Sequence, residues 1–336
     1  MKRIFKSTAL LLLTLVLTAS LFSCTVTKKK YSDTVFDVFD SFASITVYEA
    51  SKSDYEVYLE VFKAKAFKYH HMFDIYNEYE GEVNLCTINN NASNAPVEIS
   101  GDMMEFLEYA THMNRVTSGY TSITVGALTS VWKTAIKEGV LPEQETLDEA
   151  AKHIDISLLE LDLISRTAYF HDSELKLDAG ALAKGYAANE ISNALIEAGC
   201  ESFLIDIGGT VCGFGQKRNF SNWTAGIKSP TSDKDIGVSI NISGKALSTS
   251  GSYQRKANIN GVTYHHIINP FTKYPENNFL SVSVICSSAA DADALSTALF
   301  SMTQEEGLAL ANTLGFEAVW INADESIITT QGIDIQ

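Results

Sequence analysis

Hydrophobic and polar positions repeat with two different periods along this chain. Residues 34–48 (TVFDVFDSFASITVY) hold β-branched and aromatic side chains in rough alternation, which predicts an early strand half buried on a sheet. Over 53–78 the spacing becomes helical, with Val57, Leu59, Phe62, Ala66, Tyr69 and Phe73 in the apolar positions. The polar stretch over 77–100 is punctuated by Gly and Asn and predicts a loop. Helices are predicted at 101–116 and 125–138, a short helix opening at 146–153, and paired short strands within 161–177. A long helix is expected over 179–199, with Leu182, Tyr186, Ile191, Leu195 and Ile196 on one broad face. Asp178 would cap its start and Gly199 its end. Strand patterns recur at 203–207, 222–228, 236–242, 262–268 and 280–286, followed by a helix at 290–314 and a last strand at 316–322. The mixture predicts an α+β fold with mainly antiparallel sheet. No repeat or Pro-rich linker divides residues 34–336, so they are expected to form one catalytic domain.

The first residues break this pattern. Lys2, Arg3 and Lys6 precede an apolar run from about Ala9 to Leu21, which ends in Leu21-Phe22-Ser23-Cys24. This predicts an export signal over 1–23, too short and wrongly flanked for a comfortable membrane span. The Leu-x-Ser-Cys ending resembles a bacterial lipobox, in which Cys24 becomes the lipid-bearing first residue; a plain signal peptide containing a cysteine has the same outline. Residues 24–33, with Lys28-Lys29-Lys30, read as a tether. The expected location is the exported face of a cell membrane, held by lipid on Cys24.

Charge sharpens that expectation. The full chain carries −16, and loss of residues 1–23 removes three cations and no acid, so −16 becomes −19. Such a surface lacks the clustered Lys and Arg of a nucleic-acid footprint and would be repelled by an anionic membrane without an anchor. Apolar residues make up 46% of the chain, enough for a sizeable core. Cys86, Cys200, Cys212 and Cys286 show no CxxC or metal-like spacing and read as buried free thiols.

Five segments carry candidate chemistry. Asp178-Ala-Gly-Ala-Leu-Ala-Lys184-Gly-Tyr186 brings an acid to a helix opening lined by small residues, where a ligand can approach the backbone. Lys184 could reach a phosphate or carbonyl from there, or simply be solvated. Ile205-Asp206-Ile207-Gly208-Gly209-Thr210 suits a tight turn with free amides, or an ordinary turn. Ser248-Thr249-Ser250-Gly251-Ser252 offers donors to a phosphate or ribose, or forms a solvated turn. In His265-His266-Ile267-Ile268-Asn269-Pro270 a histidine beside a Pro turn could be a general base or a core histidine. Asp293 and Thr297 stand four apart on a predicted helix, a hard oxygen pair suited to Mg²⁺ or a carboxylate favouring the helix dipole. No GxxxxGK[ST] or GxGxxG is present.

In this order and at these separations, LDAGALAKGYAANE, the Gly-Gly turn with Trp223 and Gly226-Ile227 beyond it, STSGSYQR, HHIINP and DADALSTALF resemble the ApbE family of FAD:protein FMN transferases. The resemblance runs from Val35 to the last strand and implies a T-fold-like α+β core. It implies FAD contacts at Phe39, Tyr76, Tyr120, Thr121, Ser122, Asp178, Lys184 and Ile268. Asp293, Thr297 and the main-chain carbonyl of Ala181 would hold Mg²⁺. Ser122, Asn189, Ser252 and Asn269 each replace an Asp frequent in the family, so acid–base details are expected to differ here.

The activity so implied is transfer of FMN from FAD to a Ser or Thr hydroxyl of an acceptor protein, with release of AMP. FAD is then a substrate, Mg²⁺ the cofactor, and His266 the candidate for taking the acceptor proton. The acceptor is expected to be an exported subunit of a membrane redox complex. Two rivals share the site: an FAD pyrophosphatase giving FMN and AMP, and a flavin-binding lipoprotein without catalysis.

Overall fold

The computed structural model describes residues 28–49, 51–231, 235–253 and 256–333. The signal segment and Cys24 lie outside the described residues. Among these, no helix is long and apolar enough to cross a membrane.

An eight-stranded antiparallel sheet organises the chain. Its strands are β1 (Lys29–Val38), β2 (Ser41–Glu49), β6 (Phe203–Ile207), β7 (Thr210–Phe214), β10 (Lys245–Gly251), β13 (Phe279–Cys286), β14 (Glu317–Asn322) and β15 (Ile327–Thr329), in that spatial order. Alternation in β2 sends Ala43, Ile45 and Val47 to the core. Three helices cover one face: α1 (Lys52–Phe73) over β1 and β2, α6 (Ala183–Glu197) over β6 and β7, and α7 (Ala289–Ser301) over β10 and β13. They bury one large core with Phe62, Tyr69, Phe203 and Phe300 at its centre. The other face holds a smaller cluster of Trp223, Ile227, Ile242, Leu247 and Val319, to which the hairpin β8 (Thr224–Lys228) and β9 (Asp235–Asn241) contributes. A three-stranded sheet, β3 (Val97–Glu98), β4 (Leu159–Asp162) and β5 (Thr167–Phe170), sits apart, and β11 (Lys256–Ile259) pairs with β12 (Val262–His265).

The remaining helices are α2 (Leu85–Asn91), α3 (Gly101–Val116), α4 (Gly126–Glu138), α5 (Gln144–Ala150) and α8 (Gln304–Leu314). The fold class is the α+β, mainly antiparallel one that the patterning predicts. Several elements differ. The early strand is a hairpin, because Asp37, Phe39 and Asp40 take left-handed φ of 61°, 55° and 53° and reverse the chain. The polar loop contains α2, capped by the Asn84 side chain. The helix expected over 290–314 is two helices. Met302 leaves helical geometry, and a capping box of Thr303 and Glu306 starts the second. The helix expected from 179 begins at Ala183, and Leu182 stands at its N-cap without a side-chain bond. Asp178 is therefore no cap.

Candidate active site

A cleft of about 590 Å³ opens where the β1–β2 turn, the loop after α1, the start of α4, the Asp178–Lys184 turn, the end of β10, the segment after β12 and α7 converge. Its size falls in the range of small-molecule sites, about 300–1,000 Å³. All twelve residues singled out from sequence line it: Phe39, Tyr76, Tyr120, Thr121, Ser122, Asp178, Ala181, Lys184, His266, Ile268, Asp293 and Thr297. Segments separated by more than 250 residues are thus brought to one wall.

The polar centre lies at the crossing of α6 and α7. Asp293 is in the second turn of α7 and buried, rather than at an exposed helix start. Its Oδ2 accepts the Gly185 N–H at 2.8 Å, and its Oδ1 accepts Ser248 Oγ at 2.8 Å and Thr210 Oγ1 at 3.3 Å. Lys184 Nζ stands 3.6 Å from Oδ1. In a continuous helix the Gly185 N–H would bond the Ala181 carbonyl. Diverted to Asp293, it leaves that carbonyl without a backbone N–H among the described residues. Thr297 Oγ1 bonds Ser250 Oγ at 3.1 Å, and Ser250 also meets Ser296 Oγ at 2.9 Å. The hydroxyl run is therefore a buried strand face, and its alternate positions Ser248 and Ser250 support Asp293 and Thr297.

Asp293, Thr297 and Ala181 all line the cleft, so one carboxylate, one hydroxyl and one freed amide oxygen are the hard donors that could hold Mg²⁺ with water and phosphate oxygens. Among the described residues no group of three or more His, Cys, Asp or Glu side chains is placed to hold a metal ion.

Asp178 anchors another wall. Burial pushes its carboxyl up, but Lys133, Thr129 and the Gly180 N–H outweigh that and hold it below the usual aspartate value. Lys133 Nζ lies 2.9 Å and Thr129 Oγ1 2.7 Å from Oδ2. The Lys133 ammonium also covers the Tyr76 ring, 5.4 Å from its centroid. The loop carrying Tyr76 is built on Asp74, which accepts the Tyr76 and Asn77 N–H groups and the Tyr79 hydroxyl at 2.7, 3.1 and 2.9 Å. Trp132, Ile136, Val125 and Ile268 add apolar wall.

The structure separates the two histidines. His265 is a core group: Nε2 meets the Glu276 carbonyl at 2.6 Å and Nδ1 accepts the Ile267 N–H. His266 faces the cleft. The Gly208-Gly209 turn offers no free amides, since Gly208 N–H bonds the Phe42 carbonyl and Gly209 N–H bonds Asp206 Oδ1. Gly208 instead gives close approach: a Cβ there would lie 3.1 Å from Lys184 Cδ and 3.0 Å from Ser41 Oγ. Thr121 donates to the Ala294 carbonyl at 2.8 Å, tying its loop to α7, and Ser122 pairs with Thr124. Asn269 has a reason to be an amide: it donates to Glu276 Oε2 and to the Ser301 carbonyl, both at 3.2 Å, where an aspartate would meet two acceptors.

Lys133, Thr129 and His70 escaped the sequence reading. Thr129 and Lys133 share a helix face at i, i+4, a visible signal once Asp178 is placed opposite. His70 lines the cleft and accepts the Phe39 N–H on Nδ1 at 3.2 Å, and burial lowers its pKa.

Sheet, helix layer and cleft together define an α+β protein whose cleft has an oxygen-rich centre. The chain belongs to the ApbE family, whose model matches residues 39–320. It is 30% identical to an FAD:protein FMN transferase of Treponema pallidum (strain Nichols) over 74% of this chain and 73% of that protein. Identity to one of Klebsiella pneumoniae (strain 342) is 28%, over 76% of this chain and 80% of that protein. The crystal structure of the ApbE protein of Thermotoga maritima superposes with a TM-score of 0.81 at 26% identity, covering 90% of this chain and 97% of that one. The flavin transferase ApbE of Vibrio cholerae shares the fold, with a TM-score of 0.77 at 23% identity, covering 90% of this chain and 97% of that one.

Proposed function

We propose that this chain is an FAD:protein FMN transferase, moving FMN from FAD to a Ser or Thr hydroxyl of an acceptor protein with release of AMP. The observation that supports this reading is the α6–α7 crossing, where Lys184 stands 3.6 Å from Asp293 in a cleft of about 590 Å³ that Thr297 and Ala181 also line. The acceptor oxygen attacks the phosphorus of the FMN half; the bond from that phosphorus to the bridging oxygen breaks, and AMP leaves with the electron pair. His266, in the cleft, takes the acceptor proton. Lys184 balances charge on the pyrophosphate, and apolar walls at the buried Trp132 and Ile268 and the half-buried Val125 limit water. Asp293, Thr297 and the Ala181 carbonyl would hold Mg²⁺, which supplies Lewis-acid stabilisation of phosphate charge when bound.

Pure protein mixed with FAD, Mg²⁺ and a flavin-acceptor domain, followed by mass spectrometry of that domain, tests the reading. An acceptor heavier by one FMN supports it, and EDTA should stop the gain until Mg²⁺ is restored. Free FMN and AMP with an unmodified acceptor indicate hydrolysis instead, and intact FAD indicates simple binding; either overturns it.

The lipobox-like Leu21-Phe22-Ser23-Cys24 motivates the anchoring half of the proposal: lipid on Cys24 holds the enzyme at the exported membrane face, where an exported subunit of a membrane redox complex would be its acceptor. Cys24→Ala should move the protein from the membrane to the soluble fraction of a cell extract. An unchanged membrane fraction for that variant would rule the anchor out.

A further inference from the structure

Among the described residues that line the cleft, Asp40, Asp74, Asp178 and Asp293 face two lysines, Lys133 and Lys184. An anionic ligand therefore meets a cleft short of positive charge, and the placement of each lysine decides which ligand group is held. Lys184 stands beside Asp293 at the oxygen-rich centre. Lys133 belongs to the aromatic wall: Thr129, Lys133 and Ile136 follow at helical spacing on α4 and line the cleft together with Trp132 and Tyr76. Other polar groups of that wall are spent inside the protein. Trp132 Nε1 donates to the Lys273 carbonyl at 2.7 Å, and Thr129 gives its hydroxyl to Asp178. Lys133 is different. An ammonium has three N–H donors, and Asp178 Oδ2 takes one at 2.9 Å. Burial works against its charge, but Asp178 and the Tyr76 hydroxyl outweigh that and hold its pKa above the usual lysine value. Its side chain is nevertheless 41% exposed, against 11% for that of Asp178, so the ammonium reaches the cleft while its counter-ion is enclosed. A cation with donors to spare is thus presented beside the exposed ring of Tyr76.

We propose that Lys133 is a further FAD-binding residue, donating a hydrogen bond from its ammonium to a carbonyl oxygen on the pyrimidine edge of the flavin ring. The proposal rests on the reading that FAD is the ligand of this cleft. An ammonium offers donors only, so it complements an edge that carries acceptors. The flavin ring carries two carbonyl oxygens on that edge. Adenine carries none, and its exocyclic amine is a donor like the ammonium, so this wall favours the flavin end of the dinucleotide. The aromatic and apolar side chains around Lys133 suit a flat ring, and the bond is charge-assisted.

Lys133→Met tests this in equilibrium binding to the whole protein, with FAD and FMN read by flavin fluorescence and ADP by competition with FAD. FMN carries the flavin ring without adenine, and ADP carries the diphosphate without the flavin. The dissociation constants of FAD and FMN should rise about tenfold or more, the scale of a hydrogen bond to a charged group, and that of ADP by about twofold at most. Lys133→Arg should keep the FMN constant within about threefold, because the guanidinium retains charge and donors. Urea unfolding checks the fold of each variant. Should Lys133→Met not fold, Lys133→Gln, which leaves an amide donor near Asp178, should show the same order, with FMN weakened more than ADP. Equal losses for FMN and ADP would make Lys133 a distant charge, and unchanged FMN binding would leave it a partner of Asp178 alone. Either overturns the ring contact, while flavin transfer by the wild type upholds the reading beneath it. A wild-type protein that binds no FAD refutes that reading before any variant is made.

Discussion

Asp293→Asn should reduce FMN transfer by on the order of 10³-fold while leaving the protein folded. The carboxylate lines the cleft with Ala181 and Thr297 and stands 3.6 Å from Lys184 Nζ, so its charge is what a cation and the pyrophosphate would sense. The structure also shows why asparagine is the informative replacement. Asp293 accepts the Gly185 N–H and two buried hydroxyls, so alanine would strand donors at a cost of about 1–3 kcal/mol for each that finds no partner. A dipole-favouring carboxylate at a helix start would cost only about 0.3–1 kcal/mol to remove, a figure that does not fit its buried position here. Asparagine can turn its oxygen to Gly185 and its NH₂ to Ser248 and Thr210, whose hydroxyls accept as readily as they donate. Transfer measured by acceptor mass, beside urea unfolding, separates the two effects. Wild-type transfer by Asp293→Asn in metal-depleted buffer would remove the carboxylate and its cation from the mechanism.

The parts of this site legible in sequence are those encoded over short spans. Asp293 to Thr297 lies within two helical turns, where spacing alone fixes which side chains share a neighbourhood, and Asp178 to Lys184 is a short turn leading into the start of a helix. The same holds for the break at Thr303: Thr303-Gln-Glu-Glu306 has the capping-box pattern that ends one helix reading and starts another, although the apolar period across 290–314 hid it. What the sequence could not give are meetings made by tertiary packing. Lys133 finds Asp178 across 45 residues, and Ser248 finds Asp293 across the same separation. The β1–β2 turn was illegible for another reason. It holds no glycine or Asn-Gly pair, and left-handed φ at Asp37, Phe39 and Asp40 follows from the surroundings, including the His70 acceptor. Gly208-Gly209 shows the converse. Its turn was readable, but the fate of its amides was decided by Phe42 and Asp206.

Gly185→Ala should destabilise the protein by about 2 kcal/mol or more and abolish transfer, against what helix propensity alone expects. On propensity, glycine to alanine inside a helix gains roughly 1 kcal/mol. Here the added Cβ would lie 2.3 Å from Asp293 Cβ and 2.5 Å from the Ala289 carbonyl oxygen. Both belong to α7, one of them backbone, so no side-chain rotation relieves the overlap and the two helices must part. Parting them also lengthens the 2.8 Å bond from the Gly185 N–H to Asp293, the contact that orients the carboxylate and frees the Ala181 carbonyl. Packing strain and loss of the site are thus one event, and the cost exceeds the propensity gain because cores resist even one added methyl group. Urea unfolding and FMN transfer on the same preparation measure both consequences. A Gly185→Ala variant as stable as its parent would show that the helices tolerate wider separation, and would end the claim that this glycine sets the geometry of the site.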